Sequence, residues 1–174
     1  MTDQTLTIAC AFNWTGFDAF AESATDSGHT DLLILPELCD GGYERLHAEG
    51  KVSASADERQ GLCAALSAQH NMTIVAGSMA LPGDDGKLYN RSVVWSHGES
   101  IAHFDKVHLF KPLGDDQFFA PGTPRSIVDM STSAGRIRLG VMICYDLRFP
   151  ELVRPWFKSG VDLIAVPARW PRVR

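Results

Sequence analysis

No stretch of this sequence approaches the ~20 consecutive apolar residues that a bilayer-spanning helix needs. The opening "MTDQTLTIACAF" lacks the basic start and the longer apolar run of a secretory leader. Positive charge is in deficit: 16 Lys and Arg stand against 21 Asp and Glu, a net charge of −5. That balance excludes the basic face a nucleic-acid binder needs, and it offers no polybasic membrane patch. Cysteine is sparse, at Cys10, Cys39, Cys63 and Cys144, with no C-x-x-C pair, and the six histidines are scattered. A zinc site is therefore not expected, nor any other metal. Internal repeats, low-complexity tracts and linkers are all missing. These absences lead to the expectation of a cytoplasmic protein, reduced at its cysteines, with no nucleic-acid or membrane partner. Its 174 residues fit a single domain spanning 1–174.

What is present is an alternation of strand and helix patterns. Strands are expected at 6–12, 30–38, 72–81, 88–96 and 99–110, then over "SIVDM", "RIRLGVMIC" and 161–168. Helices are expected at 16–28, at 55–71 with Ser55 as a cap, and at 149–160. Residues 82–87 form a turn, and 111–124, rich in Gly and Pro, a long loop. Strands 30–38 and 161–168 are almost wholly apolar and read as central. Pro155 should kink the last helix. The order implies an α/β layered domain.

Three reactive side chains occupy equivalent places in this pattern. Glu37 ends the run "LILPELCDGGY", Lys106 follows a strand in "AHFDKVHLF", and Cys144 ends a strand in "GVMICYDLRFPE". Sites of open α/β sheets assemble at the carboxyl ends of strands. A carboxylate there can take the thiol proton, and an ammonium can stabilise the anion formed when sulfur attacks a carbonyl. A buried structural cysteine and a surface Lys106–Asp105 pair are the bland readings of the same residues. Cys10, Cys39 and Cys63 are assigned to packing, and His108 to structure.

The segments "LPELCDGGY", "DKVHLF" and "CYDLRFPE", in this order and with "YNRSVVW" between the first two, resemble the nitrilase, or carbon–nitrogen hydrolase, superfamily. The wording around Cys144 and "PARWP" is most similar to the omega-amidase branch, whose members hydrolyse the terminal amide of dicarboxylic acid monoamides. The resemblance implies an α-β-β-α sandwich and a cofactor-free thioester mechanism. Cys144 would be the nucleophile, Glu37 the general base, and Lys106 with the backbone N–H of Tyr145 the oxyanion hole. Helix N-terminal amides after Cys144 would favour anionic sulfur. Where many relatives carry a second glutamate, this chain has Asp115 in "GDDQFFAPG", with Asp116 as a neighbouring candidate. Tyr43, Arg148 and Trp170 are candidate substrate-binding residues. Arg148 suits a substrate carboxylate or a pairing with Glu151.

Relatives of this kind continue well past "PARWPRVR". The resemblance therefore implies a C-terminally truncated chain, carrying the N-terminal two thirds of the usual domain, and a homodimer if the domain is complete. The expected activity is hydrolysis of a small linear amide with release of ammonia. A nitrile or N-carbamoyl hydrolase is the alternative with the same triad. A non-catalytic fragment stable only in an assembly, and a redox-sensing thiol protein, are alternatives of other classes.

Overall fold

The computed structural model describes residues 5–11, 29–49, 56–124 and 127–170. Nine strands and four α-helices lie among them. The strands are β1 (Ile8–Cys10), β2 (Leu32–Ile34), β3 (Thr73–Val75), β4 (Met79–Pro82), β5 (Leu88–Ser96), β6 (Glu99–Asp105), β7 (Val128–Thr132), β8 (Gly135–Val141) and β9 (Leu163–Ala165). The helices are α1 (Gly42–Glu49), α2 (Ala56–Gln69), α3 (Asp115–Phe118) and α4 (Pro150–Lys158). None of the described helices is long and apolar enough to cross a membrane.

Alternation along the strands sorts the apolar residues into layers. In one sheet β1, β2 and β3 run parallel, and β5 lies antiparallel to β3, β4 and β6. The second sheet pairs β7 with β8 antiparallel and β8 with β9 parallel. Leu32, Val75, Val94 and Phe104 of the first sheet meet Met130, Leu139, Val141 and Ala165 of the second. Their neighbours Leu33 and Ile74 point the other way and pack with Ala56 and Cys63 of α2. Across the molecule, Leu152 and Trp156 of α4 cover Met142 and Ile164. Gly140 permits that approach, because a Cβ there would stand 2.6 Å from the Trp156 ring. The result is the expected α-β-β-α order, helix on sheet on sheet on helix.

One buried carboxylate joins the two sheets. Asp31 accepts from Thr7 N at 2.9 Å, from Ser133 N at 2.6 Å and Ser133 Oγ at 3.0 Å, and pairs with His29 Nε2 at 2.9 Å. Ser133 sits in the β7–β8 turn, so this carboxylate pins that hairpin to β2. Burial alone would raise its pKa, but the backbone donors Thr7 and Ser133, with the His29 and Ser133 side chains, bring it down to about 2.

Several elements differ from expectation. The run 72–81 is two short strands, not one. Both pair with the same edge of β5, and the break at Ala76–Ser78 makes room for the chain leaving β2. Strand 30–38 shortens to three residues because Pro36 turns the chain out of the sheet. Residues 111–124 are not all loop, since they hold a 3₁₀ turn (Lys111–Leu113) and α3. Helix α1 was not foreseen, since its first residue, Gly42, hides the start signal. Strand β9 is central only to the extent of pairing β8, and no other described strand lies beside it. Pro155 stands inside α4, past its midpoint, where it removes one helix N–H and the helix continues to Lys158. The helix expected at 16–28 and the Ser55 cap lie outside the described residues.

Candidate active site

Chain geometry alone delivers Glu37 to the interior. After Pro36 the backbone passes over Gly77, whose φ is +58° and whose Cβ would lie 2.0 Å from the Pro36 carbonyl oxygen, so only glycine fits. Leu38 then adopts φ +47°, held by its N–H donating to Ser78 Oγ at 3.0 Å, while Cys39 N donates to Ser78 O at 2.7 Å. Lys106 leaves the end of β6, with its N–H on the Asn90 carbonyl at 2.9 Å. Cys144 opens a 3₁₀ turn (Cys144–Arg148) three residues beyond β8, at φ +45°. That conformation is costly for a residue with a Cβ, and such strain concentrates at functional positions.

The three side chains converge. Lys106, 1 % exposed, places Nζ 2.7 Å from Glu37 Oε1 and 2.7 Å from Asp115 Oδ2, both carboxylates being fully buried. Asn90 Nδ2 donates to Glu37 Oε1 at 3.1 Å. Tyr43 OH donates to Asp115 Oδ1 at 2.7 Å and lies 3.5 Å from Glu37 Oε1. The Phe110 N–H completes Asp115 at 2.8 Å. Asp115 thus belongs to the cluster, and exposed Asp116 does not. Burial works against the Lys106 ammonium, but the Glu37 and Asp115 charges outweigh it and raise its pKa above the ordinary value.

Cys144 is buried beside Glu37. Burial, then the charge and hydrogen-bonding contact of Glu37, push its thiol up to about 12, and Lys106 only partly offsets this. The segment that opens at Cys144 is a 3₁₀ turn, and the α-helix begins only at Pro150, so the α-helical amides expected beside the sulfur stand further along the chain. A redox sensor of the accessible, low-pKa kind is disfavoured. The remaining Glu37 oxygen, Oε2, is buried without a conventional hydrogen-bond partner. A carboxylate in hydrogen-bonding contact with a protonated thiol can take its proton.

A second buried carboxylate fixes the relation between two of these segments. Asp146 accepts from His108 N at 2.7 Å, Val107 N at 3.3 Å and Ile143 N at 3.2 Å, and pairs with His108 Nδ1 at 2.8 Å. The residues after Lys106 are thereby tied to the residue before Cys144. His108 stacks on Phe149 at 3.6 Å and does not line the cavity, in keeping with a structural role.

A cavity of about 280 Å³ opens over Cys144. Tyr43, Tyr145, Arg148 and Trp170 line it, as the sequence suggests, and so does Arg169, which sequence reasoning missed. Arg148 lies 5.8 Å over the Trp170 ring and makes no ion pair with Glu151. Asn90 and Asp146 were also missed as individuals, although both stand inside motifs quoted above. Among the other cysteines, Cys39 and Cys63 are buried, Cys39 against the Ala76 carbonyl at 3.2 Å, but Cys10 is exposed and does not pack. It lies on a short strand whose partner covers only one of its edges. No group of His, Cys, Asp and Glu among the described residues is arranged to hold a metal.

Comparison with known proteins gives concordant results. The carbon-nitrogen hydrolase family profile matches residues 12–173. A protein named hydrolase in agr operon, from Staphylococcus lugdunensis, is 30% identical over 145 residues, covering 83% of this chain and 61% of that protein. The 2-oxoglutaramate amidase of Bacillus subtilis is 26% identical, covering 86% of this chain and 56% of its own length. Among solved structures, Nit3 of Saccharomyces cerevisiae, described as a nitrilase-superfamily member, superposes with a TM-score of 0.71 at 26% identity. That match covers 89% of this chain and 57% of Nit3. The chain spans a little over half the length of the relatives it matches.

Proposed function

The chain belongs to the carbon-nitrogen hydrolase family, and on that premise we propose that it hydrolyses a small linear amide through a cysteine thioester. Cys144 Sγ attacks the amide carbon as Glu37 takes the thiol proton. Lys106 and the Tyr145 N–H stabilise the oxyanion. Collapse breaks the C–N bond, and the proton held by Glu37 passes to the leaving nitrogen, so ammonia departs. Water then gives a proton to Glu37 and attacks the thioester, and the carboxylic acid and free thiol are restored. Asp115 keeps Lys106 in place and charged. Tyr43, Arg148 and Trp170 bound the substrate.

The observation that carries this reading is the meeting of three buried groups: the Glu37 carboxylate, the Lys106 ammonium 2.7 Å from it, and the Cys144 thiol that shares a hydrogen bond with Glu37. A thiol that stays protonated needs a base at the moment of attack. The name of the B. subtilis relative, an amidase of an oxoacid monoamide, favours a substrate of omega-amidase type, with a carboxylate at the far end. We take residues 1–174 as part of one such domain, which acts in the cytoplasm and, when complete, as a homodimer. The test is ammonia release together with intact mass. An acyl adduct on Cys144 that appears with substrate and is lost in Cys144→Ala is expected. Undiminished ammonia from Cys144→Ala would end the proposal.

A further inference from the structure

Charge is unevenly divided in this cavity. At its floor, one ammonium, Lys106, sits between two carboxylates, Glu37 and Asp115, so the floor is net negative. At its mouth stand two guanidinium groups, Arg148 and Arg169. A substrate with an amide at one end and a carboxylate at the other would therefore enter amide first.

The two arginines are not equivalent. Arg148 is exposed and lies against the Trp170 ring. Arg169 is more enclosed, with its side chain 34% exposed, and it is fixed from two sides. Its backbone carbonyl lies 4.0 Å from Cys144 Sγ, which ties its position to that of the nucleophile. Its guanidinium rests on Gly42, the first residue of α1, at φ +74°, where any Cβ would stand 2.0 Å from Nη1. The guanidinium also already holds a carboxylate: Nη2 is 3.3 Å from Glu44 Oε2. That partner is held weakly, being 83% exposed and at the long end of hydrogen-bonding distance, so water and other anions compete for its place.

We propose that Arg169 is the specificity-determining residue for the distal carboxylate of the substrate, and that Glu44 is an internal carboxylate which that group displaces. The assignment rests on reading the cavity as an amide-hydrolase site. Gly42 leaves the room in which the guanidinium lies. Its planar fork can donate to two carboxylate oxygens, whereas Glu44 receives a hydrogen bond on one. The exchange is of one anion for another, with no covalent change.

The test uses the whole chain and two readouts. Binding of butyrate, a small monocarboxylate, is measured by calorimetry. Ammonia release is compared between succinamate, which carries a carboxylate, and butyramide, a neutral amide of the same length. Arg169→Gln is expected to weaken butyrate at least about tenfold, and to lower the preference for succinamate over butyramide by a similar factor. Arg169→Lys keeps the charge without the fork and should fall between. Glu44→Gln, at an exposed position that does not threaten folding, should tighten butyrate about threefold. Butyrate that fails to bind, or that binds Arg169→Gln as well as the parent, overturns the assignment. So does a Glu44→Gln variant with unchanged affinity. Absence of ammonia from both amides, with the butyrate pattern intact, would instead fault the amide-hydrolase reading and leave the anion site standing.

Discussion

Two buried carboxylate clusters, around Asp31 and around Glu37, use the same chemistry to opposite ends. Asp31 is saturated: two backbone N–H groups, a hydroxyl and an imidazole meet its two oxygens, and its pKa falls to about 2. Glu37 also accepts on Oε1, from Lys106 and Asn90, but no backbone or amide donor meets its Oε2, and the remaining contact of the carboxylate is with the Cys144 thiol. A satisfied buried carboxylate rigidifies, and here it fastens two sheets. An incompletely satisfied one is kept at a cost and is available for reaction. The difference lies in what each loop brings to the carboxylate, not in burial, which is nearly complete for both.

The contrast can be tested at both ends. Cys144→Ala should lower ammonia release at least about a thousandfold without loss of folding, since it removes the proposed nucleophile alone. Glu37→Gln should lower it about 10²- to 10⁴-fold. It should also bring the Cys144 thiol down from about 12, since a charge that opposes the thiolate is gone. Thiol titration by alkylation rate against pH checks this. A thiol pKa unmoved by Glu37→Gln would show that the carboxylate is not where its role requires.

Lys106→Met leaves Glu37 and Asp115 buried without their cation, and should cost about 3–5 kcal/mol of stability. The urea midpoint reads this, and a shift worth under about 1 kcal/mol would mean the cluster is wetter than its burial indicates. Asp31→Ala should cost about 3 kcal/mol through its abandoned donors, yet leave turnover per folded molecule unchanged. If turnover falls with stability held up by osmolyte, the two clusters are coupled and the contrast fails.

Acid separates them further. The folded pKa of Asp31 is depressed from 3.8 to about 2, so its contribution is full above the unfolded pKa and is lost as pH falls from about 4 to about 2. The loss is on the order of 2 kcal/mol, and Asp31→Asn should flatten that part of the stability curve. Smallest is Tyr43→Phe, which deletes the 2.7 Å donor to Asp115. A fall of about tenfold in kcat is expected, with little change in fold stability. An unaltered kcat would show that Phe110 N–H and Lys106 hold Asp115 unaided.

How far the sequence could be read depended on whether a signal was local. Strand β5 and helix α2 stand where their periodicities put them, because each buries one face along its own length. Helix α1 escaped because it opens on Gly42, and the break in 72–81 because it depends on Pro36 crossing Gly77 from another strand. Glu37, Lys106 and Cys144 were legible as motif residues at element ends. Asp115 could be named but not distinguished from Asp116, one residue away and exposed. Arg169 had no signal at all, because its meaning comes from Gly42 and Glu44 more than 120 positions earlier.

By itself, then, the sequence determined the alternation of strands and helices and supplied the candidate reactive groups, because side-chain chemistry and local periodicity are written residue by residue, while the four-layer order came with the family resemblance. Only the tertiary structure decided which donors meet each oxygen of Glu37, that burial and Glu37 raise the Cys144 thiol, and that Arg169 joins Arg148 at the cavity with its carbonyl beside the sulfur. Those are properties of the space between segments, where desolvation and hydrogen-bond completion depend on partners far apart in the chain.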